Sequence, residues 1–213
     1  MAHAGVARDD ITGLILAGGR GLRMGGVDKG LQDFRGEPLV CHAMRRLSPQ
    51  VARVAINANR HPDDYAALGA RVWADAVPDF AGPLAGFLAG LSHCDSPYLL
   101  TVPCDSPCFP LDLAKRLGEA LVREHADIAM AWAPETDDAG QTALRAQPVF
   151  CLLKASLRQS LSDFIAQGGR KIDRWTAQHR CVPVAFDTSA DDPRAFLNLN
   201  TLQDLQQLDP LLP

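Results

Sequence analysis

The stretch Leu16-Ala-Gly-Gly-Arg-Gly-Leu-Arg-Met-Gly-Gly-Val-Asp-Lys29 gathers glycines and cations directly behind a short apolar run, Ile11-Thr-Gly-Leu-Ile-Leu16. Glycine belongs where backbone takes positive φ or presses close to a ligand. Consecutive N–H groups freed in this way form an anion-binding concavity. Arg23 and Lys29 are spaced along the same loop, two cations where a triphosphate would lie. An arginine grips phosphate in bidentate fashion, whereas a lysine acts as a point charge. Two familiar phosphate loops do not fit. A Walker loop needs Gly-Lys-Ser/Thr, but Lys29 stands between Asp28 and Gly30. A dinucleotide G-x-G-x-x-G starting at Gly19 and Gly21 arrives at Met24. The plainer reading is a glycine loop with solvated basic residues. Leu22 and Met24 are its main apolar anchors, so it is expected to be partly mobile without a ligand.

Other candidates sit where strands end. Asp105 follows an apolar run at residues 98–102 and Pro103, which stops the ladder, so its carboxylate should face the crevice beyond the strand ends. A carboxylate there suits a hard cation or an Asx-turn before the next helix. Asn57 and Asp75 close two further strands at residues 51–57 and 71–74. From the sequence alone both are ordinary turn residues. Gly82-Pro83-Leu84-Ala85-Gly86 opens a helix of small residues, as a tight turn or as a close approach to a ligand. Cys104 and Cys108 have no second pair at metal-binding spacing, and the six histidines show none either.

The elements that must position these residues alternate. Strands at residues 11–16, 51–57, 71–74 and 98–102 are separated by helices around 39–47, 63–68, 84–93 and 111–124. Alternation implies parallel pairing through crossovers, with helices on both faces of an open, mostly parallel Rossmann-like sheet. Strands at 126–132 and 147–152 flank a polar turn segment at 134–140, and helices and short strands at 156–167, 181–186, 196–200 and 201–208 complete the sheet. Residues 1–10 read as a disordered leader, and residues 11–213 as a single domain, since no linker composition marks a boundary.

With 213 residues and 47% apolar content, the chain buries a full core without staples. A net charge of −4 supplies no field toward nucleic acid or an anionic membrane. Six scattered cysteines, no secretory leader and no apolar run of membrane-spanning length point to a reduced, cytoplasmic protein.

The string L-A-G-G-x-x-x-R-M-G-G-x-D-K resembles the signature of nucleotidyltransferases that activate sugars and cofactors. In its R-M-G-G-V-D-K-G form it is similar to that of the molybdenum cofactor guanylyltransferases. The likeness continues through Asn57-Ala-Asn-Arg60, Gly82-Pro-Leu-Ala-Gly86, Pro103-Cys-Asp105 and Asn198-Leu-Asn-Thr201, spanning residues 11–208. The resemblance implies transfer of GMP from GTP to molybdopterin, with Mg²⁺ and release of pyrophosphate. It implies catalytic roles for Arg23, Lys29 and Asp105, and nucleotide contacts from Leu16, Ala17, Gly18 and Gly19. Asn57, Asp75, Gly82 and Gly86 would contact the nucleotide as well. Asp105 would bind the metal, with Asn200 or Asn198 opposite it; Asn200 is favoured, although Asn200 or Thr201 would equally cap a following helix.

The acceptor phosphate requires cations of its own. Arg170, Lys171 and Arg145 are candidates beside Asn198, and a solvated surface is the stronger reading for those three basic residues. Proteins that deliver molybdopterin, or that mature molybdoenzymes, would be partners. Competing readings are a cytidylyltransferase, a sugar-phosphate nucleotidyltransferase, or a non-catalytic carrier of nucleotide or cofactor. The retained Arg23, Lys29, Asp105 and Asn200 weigh against a carrier.

Overall fold

A computed structural model of the chain describes residues 5–18, 28–75, 82–137 and 139–199. After β1 (Ile11–Leu16) come a short antiparallel pair, β2 (Asp33–Phe34) and β3 (Glu37–Pro38), and then α1 (Leu39–Leu47). The chain continues through β4 (Arg53–Asn57), α2 (Pro62–Ala67), β5 (Arg71–Trp73), α3 (Pro83–His93), β6 (Tyr98–Pro103) and α4 (Leu113–Arg123). It closes with β7 (Ile128–Thr136), β8 (Thr142–Lys154), α5 (Arg158–Ala166), α6 (Ile172–Thr176) and β9 (Cys181–Ala185). Seven strands form one sheet in the order β5-β4-β1-β6-β8-β7-β9. β5, β4, β1 and β6 are parallel, β8 is antiparallel to both of its neighbours, and β9 is parallel to β7. The expected mostly parallel single-domain sheet is the fold observed.

Alternation along the strands divides the core between two faces. Ile11 and Ile15 of β1 join Leu100 and Val102 of β6 under α1 and α4. Leu14 and Leu99 turn the other way and meet Phe87 of α3, Leu161 of α5 and Trp175 of α6. A strand buried on both faces has no polar side to show, which is why β1 and the middle of β6 read as apolar runs rather than alternating ones.

The observed elements differ from the sequence expectations at four places. Residues 5–10, expected within a disordered leader, are tied down: Arg8 Nε donates to Pro49 O at 3.1 Å, and Val6 packs against the α1–α4 face. The segment at 134–140 is polar because β7 and β8 run on past the sheet as a two-stranded ribbon, in which Ala133–Thr136 pairs with Arg145–Thr142 beyond the last β9 partner, Trp132. Its turn is closed by Asp137 Oδ1, which accepts from Ala139 N and Gln141 N. α6 is five residues long, too short to carry a helical period. Residues 196–199, expected as the start of a strand, form an irregular segment instead, because Leu199 N donates to Asp105 O rather than to a ladder. The helix expected at 201–208 lies outside the described residues.

The chain after β9 is clamped to α4 by one side chain. The Arg116 guanidinium lies 3.7 Å over the Phe186 ring, pairs with Asp191 and donates to Ala185 O. Burial pushes the Asp191 carboxyl up, but its bonds to Arg116 and Thr188 outweigh this and hold it below the usual carboxylate value. A lowered folded value stabilises the native state above the unfolded value near 3.8, and the gain is lost as pH falls through the folded value. Arg116→Ala should therefore cost about 2 kcal/mol at pH 7. The stability difference between variant and parent should shrink as pH falls below about 4, as read from chemical denaturation at several pH values.

Candidate functional site

The four parallel strands end on one side of the sheet, so their following residues share one crevice. Two backbone hydrogen bonds set that edge: Ala17 N donates to Asn57 O at 2.8 Å, and Cys104 N donates to Leu16 O at 3.1 Å. The ladder thus extends one residue past β1 on each side. It fixes the start of the glycine loop between the ends of β4 and β6.

On the β4–β5 side, Asn57 is buried to 3% exposure. Its Nδ2 donates to Asp75 Oδ1 and to Trp73 O, both at 2.9 Å. Asn59 Nδ2 donates to Asp75 Oδ2 at 2.6 Å, while Asp75 N donates to Asn59 Oδ1 at 2.8 Å. Gly86, in the first turns of α3, lies so close that a Cβ there would stand 2.4 Å from Asn57 Oδ1 and 2.7 Å from Leu16 Cδ2. Only glycine permits that approach. Gly82 caps the same helix, and Gly18 faces Asn57 and Asn59.

On the β1–β6 side, Lys29 Nζ donates to Asp105 Oδ2 at 3.2 Å, with side chains 25% and 18% exposed. Ser106, fully buried, donates to Asn198 Oδ1 at 2.6 Å. The Leu199 N to Asp105 O bond brings the irregular C-terminal segment to the same corner. Cys104 is buried beside them. Burial, and then the Asp105 and Asp28 carboxylates, push its thiol well above the usual thiol range, so it packs as a neutral group.

The sequence-level site residues therefore fall into two linked groups. Leu16, Ala17, Gly18, Asn57, Asp75, Gly82 and Gly86 line one side, and Lys29, Asp105 and Asn198 the other. Arg170 and Lys171 are exposed and are placed by the turn between α5 and α6 rather than by a strand end. Arg145 is exposed on the β7–β8 ribbon. Gly19, Arg23 and Asn200, with the expected mobility of the glycine loop, lie outside the described residues. As to a metal, Mg²⁺ takes one or two carboxylates and fills its remaining positions with phosphate oxygens and water. The partly exposed Asp105 carboxylate, beside the Asn198 amide, has that donor chemistry.

Sequence reasoning passed over Asp28 and Tyr65. Asp28, only 6% exposed, accepts from Gly30 N at 3.1 Å and from Tyr65 Oη at 2.6 Å. Tyr65 comes from α2 and is fully buried; burial, and then its bond to Asp28, push its phenol far up. A Cβ on Gly30 would stand 2.4 Å from that hydroxyl. Lys29 is thus held between Asp28, which accepts from the phenol, and Gly30, whose N–H donates to that same carboxylate oxygen. The Asp28–Lys29–Gly30 string was visible in the sequence, but the tyrosine that reads it lies on a helix with no motif of its own. Tyr65→Phe should lower stability by about 2 kcal/mol, the worth of a hydrogen bond to a charged group. It should also lower turnover, whereas loss of stability with unchanged turnover would show that the phenol only fills space.

With this geometry in place, comparison with known proteins is informative. The MobA-like NTP transferase domain matches residues 13–182. A molybdenum cofactor guanylyltransferase of Acidovorax ebreus is 62% identical over 203 residues, covering 95% of this chain and 96% of that protein. Its counterpart in Albidiferax ferrireducens is 57% identical over 206 residues, covering 96% and 98%. Among solved structures, the molybdopterin-guanine dinucleotide biosynthesis protein A of Archaeoglobus fulgidus superposes with a TM-score of 0.72 at 20% identity, covering 94% and 97%, and so shares the fold. Sequence match and fold agree: the chain belongs to the MobA-like NTP transferase family.

Proposed function

We propose that this enzyme transfers GMP from GTP to molybdopterin, forming the guanine dinucleotide cofactor and releasing pyrophosphate. The observation that carries this reading is the order of the two groups across the sheet. Asp75 follows β5 and Asp105 follows β6, three strand spacings apart in the order β5-β4-β1-β6. At roughly 4.8 Å per spacing this is about 14 Å, the scale of a nucleoside triphosphate laid from base to phosphates across the strand ends.

In this arrangement Asp75 accepts guanine N1–H and N2–H, with Asn57 beside it. The loop from Leu16 through Gly19 supplies N–H groups to the phosphates. Lys29 and Arg23 neutralise charge as the acceptor phosphate oxygen attacks the α-phosphorus and pyrophosphate leaves. Nucleotidyl transfer asks mainly for positioning and charge neutralisation. A phosphate nucleophile is already ionised at neutral pH, so no general base is required. Asp105, with the amide oxygen of Asn200 or Asn198, would hold Mg²⁺, which would supply further charge neutralisation at the phosphates. Asn198, Arg170 and Lys171 are the acceptor-side candidates. A reduced cytoplasmic setting suits six free thiols, and proteins that deliver molybdopterin and receive the dinucleotide are the partners this chemistry calls for. No helix among the described residues is long and apolar enough to cross a membrane.

Pyrophosphate release with molybdopterin and Mg²⁺, comparing GTP with CTP, tests the assignment. GTP should be preferred and chelation should abolish turnover; preference for CTP would overturn the nucleotide choice. Lys29→Ala should lower turnover roughly 10²–10³-fold while changing stability by no more than about 1 kcal/mol. Unchanged turnover in the folded variant would remove Lys29 from the reaction.

A further inference from the structure

The amide of Asn59 does something the reaction itself does not require. Its two ends grip one residue: Nδ2 donates to Asp75 Oδ2 at 2.6 Å, and Oδ1 accepts from Asp75 N at 2.8 Å. Asn57 Nδ2 meets the other carboxylate oxygen at 2.9 Å. A carboxylate offers about four acceptor positions. One on each oxygen is taken by a neutral amide, which leaves one on each oxygen for a second donor. Two parallel donors on one molecular edge match that remaining pair. Asn59 is also exposed, so its bonds add little to the fold. Gly18 opens onto the same place, since a Cβ there would lie 3.2 Å from Asn59 Nδ2 and 3.2 Å from Asn57 Oδ1.

We propose that Asn59 is a positioning residue for base selection, orienting the Asp75 carboxylate so that both oxygens face the donor pair of guanine. This rests on the reading of Asp75 as the guanine acceptor. Asn57 alone holds one oxygen through a single hydrogen bond and lets the carboxylate rock about its Cβ–Cγ bond. The two-point hold from Asn59 adds a restraint on the second oxygen, so N1–H and N2–H are met together. Without it, a purine lacking the 2-amino group should bind almost as well as guanine.

The probes are GTP and inosine triphosphate, which differ only by the N2 amine, with dissociation constants measured at equilibrium for the full chain. The parent should bind GTP roughly tenfold more tightly than ITP, the worth of one well-placed hydrogen bond. In Asn59→Ala that ratio should fall below about twofold, with ITP affinity unchanged within about twofold. Asn59→Asp, which keeps the oxygen facing Asp75 N but loses the donor, should behave likewise. Asp75→Asn serves as the control. If it abolishes the ratio while both Asn59 variants keep it, the role of Asn59 is overturned and the base reading stands. If Asp75→Asn itself keeps the ratio, the base reading fails and the Asn59 role with it. Equal weakening of GTP and ITP in the Asn59 variants would mark a general scaffold and overturn base selection.

Discussion

Two backbone hydrogen bonds at the carboxyl end of β1 set the geometry on which the site depends. Ala17 N reaches Asn57 O on one side and Cys104 N reaches Leu16 O on the other. Each extends a parallel ladder by one residue after the regular strand has stopped. A glycine-rich loop has little packing of its own to define where it starts. Here the Leu16–Ala17 peptide that opens it is fixed to both neighbouring strands, and everything beyond it is referred to those anchors. The residue held by one anchor, Asn57, bonds Asp75; the residue next to the other anchor is Asp105 itself.

An acidic chain that handles a polyanion must place its cations locally. Lys29 is set by its neighbours: Tyr65 pins Asp28, Asp28 accepts from Gly30 N, and Lys29 Nζ is turned to Asp105. Oδ1 of Asp28 accepts from a neutral phenol and a backbone N–H, while the Lys29 ammonium donates to Asp105. Asp75 follows the same rule, its oxygens meeting two amides. Neutral donors orient a carboxylate without cancelling its charge, which leaves it available to a ligand's N–H groups.

Much of the fold was legible because doubly buried parallel strands announce themselves. β1 and α1 have the bounds their apolar patterns predict, and β6 differs by one residue. The ribbon of β7 and β8 was obscured because its outer half touches water and carries polar residues. α6 was missed because five residues hold barely more than one turn. Within the site, the strand-end residues Asn57, Asp75 and Asp105 followed from topology and from motif. Tyr65 and Asn59 did not stand out. The phenol contributes through tertiary contact across a crossover, and the amide through a partner on the next strand. Neither contact leaves a local pattern in the sequence.

The close approach of α3 to the strand ends carries an evolutionary consequence. Gly86 lies so near Asn57 and Leu16 that even a methyl group would overlap both. The two strand residues belong to different strands, so no single adjustment makes room. A larger residue at position 86 therefore has to displace the side chains at positions 16 and 57 together, one of which is tied to the carboxylate at position 75. The glycine in the first turn of α3 thus reflects a volume limit shared with two strands rather than a preference of the helix itself.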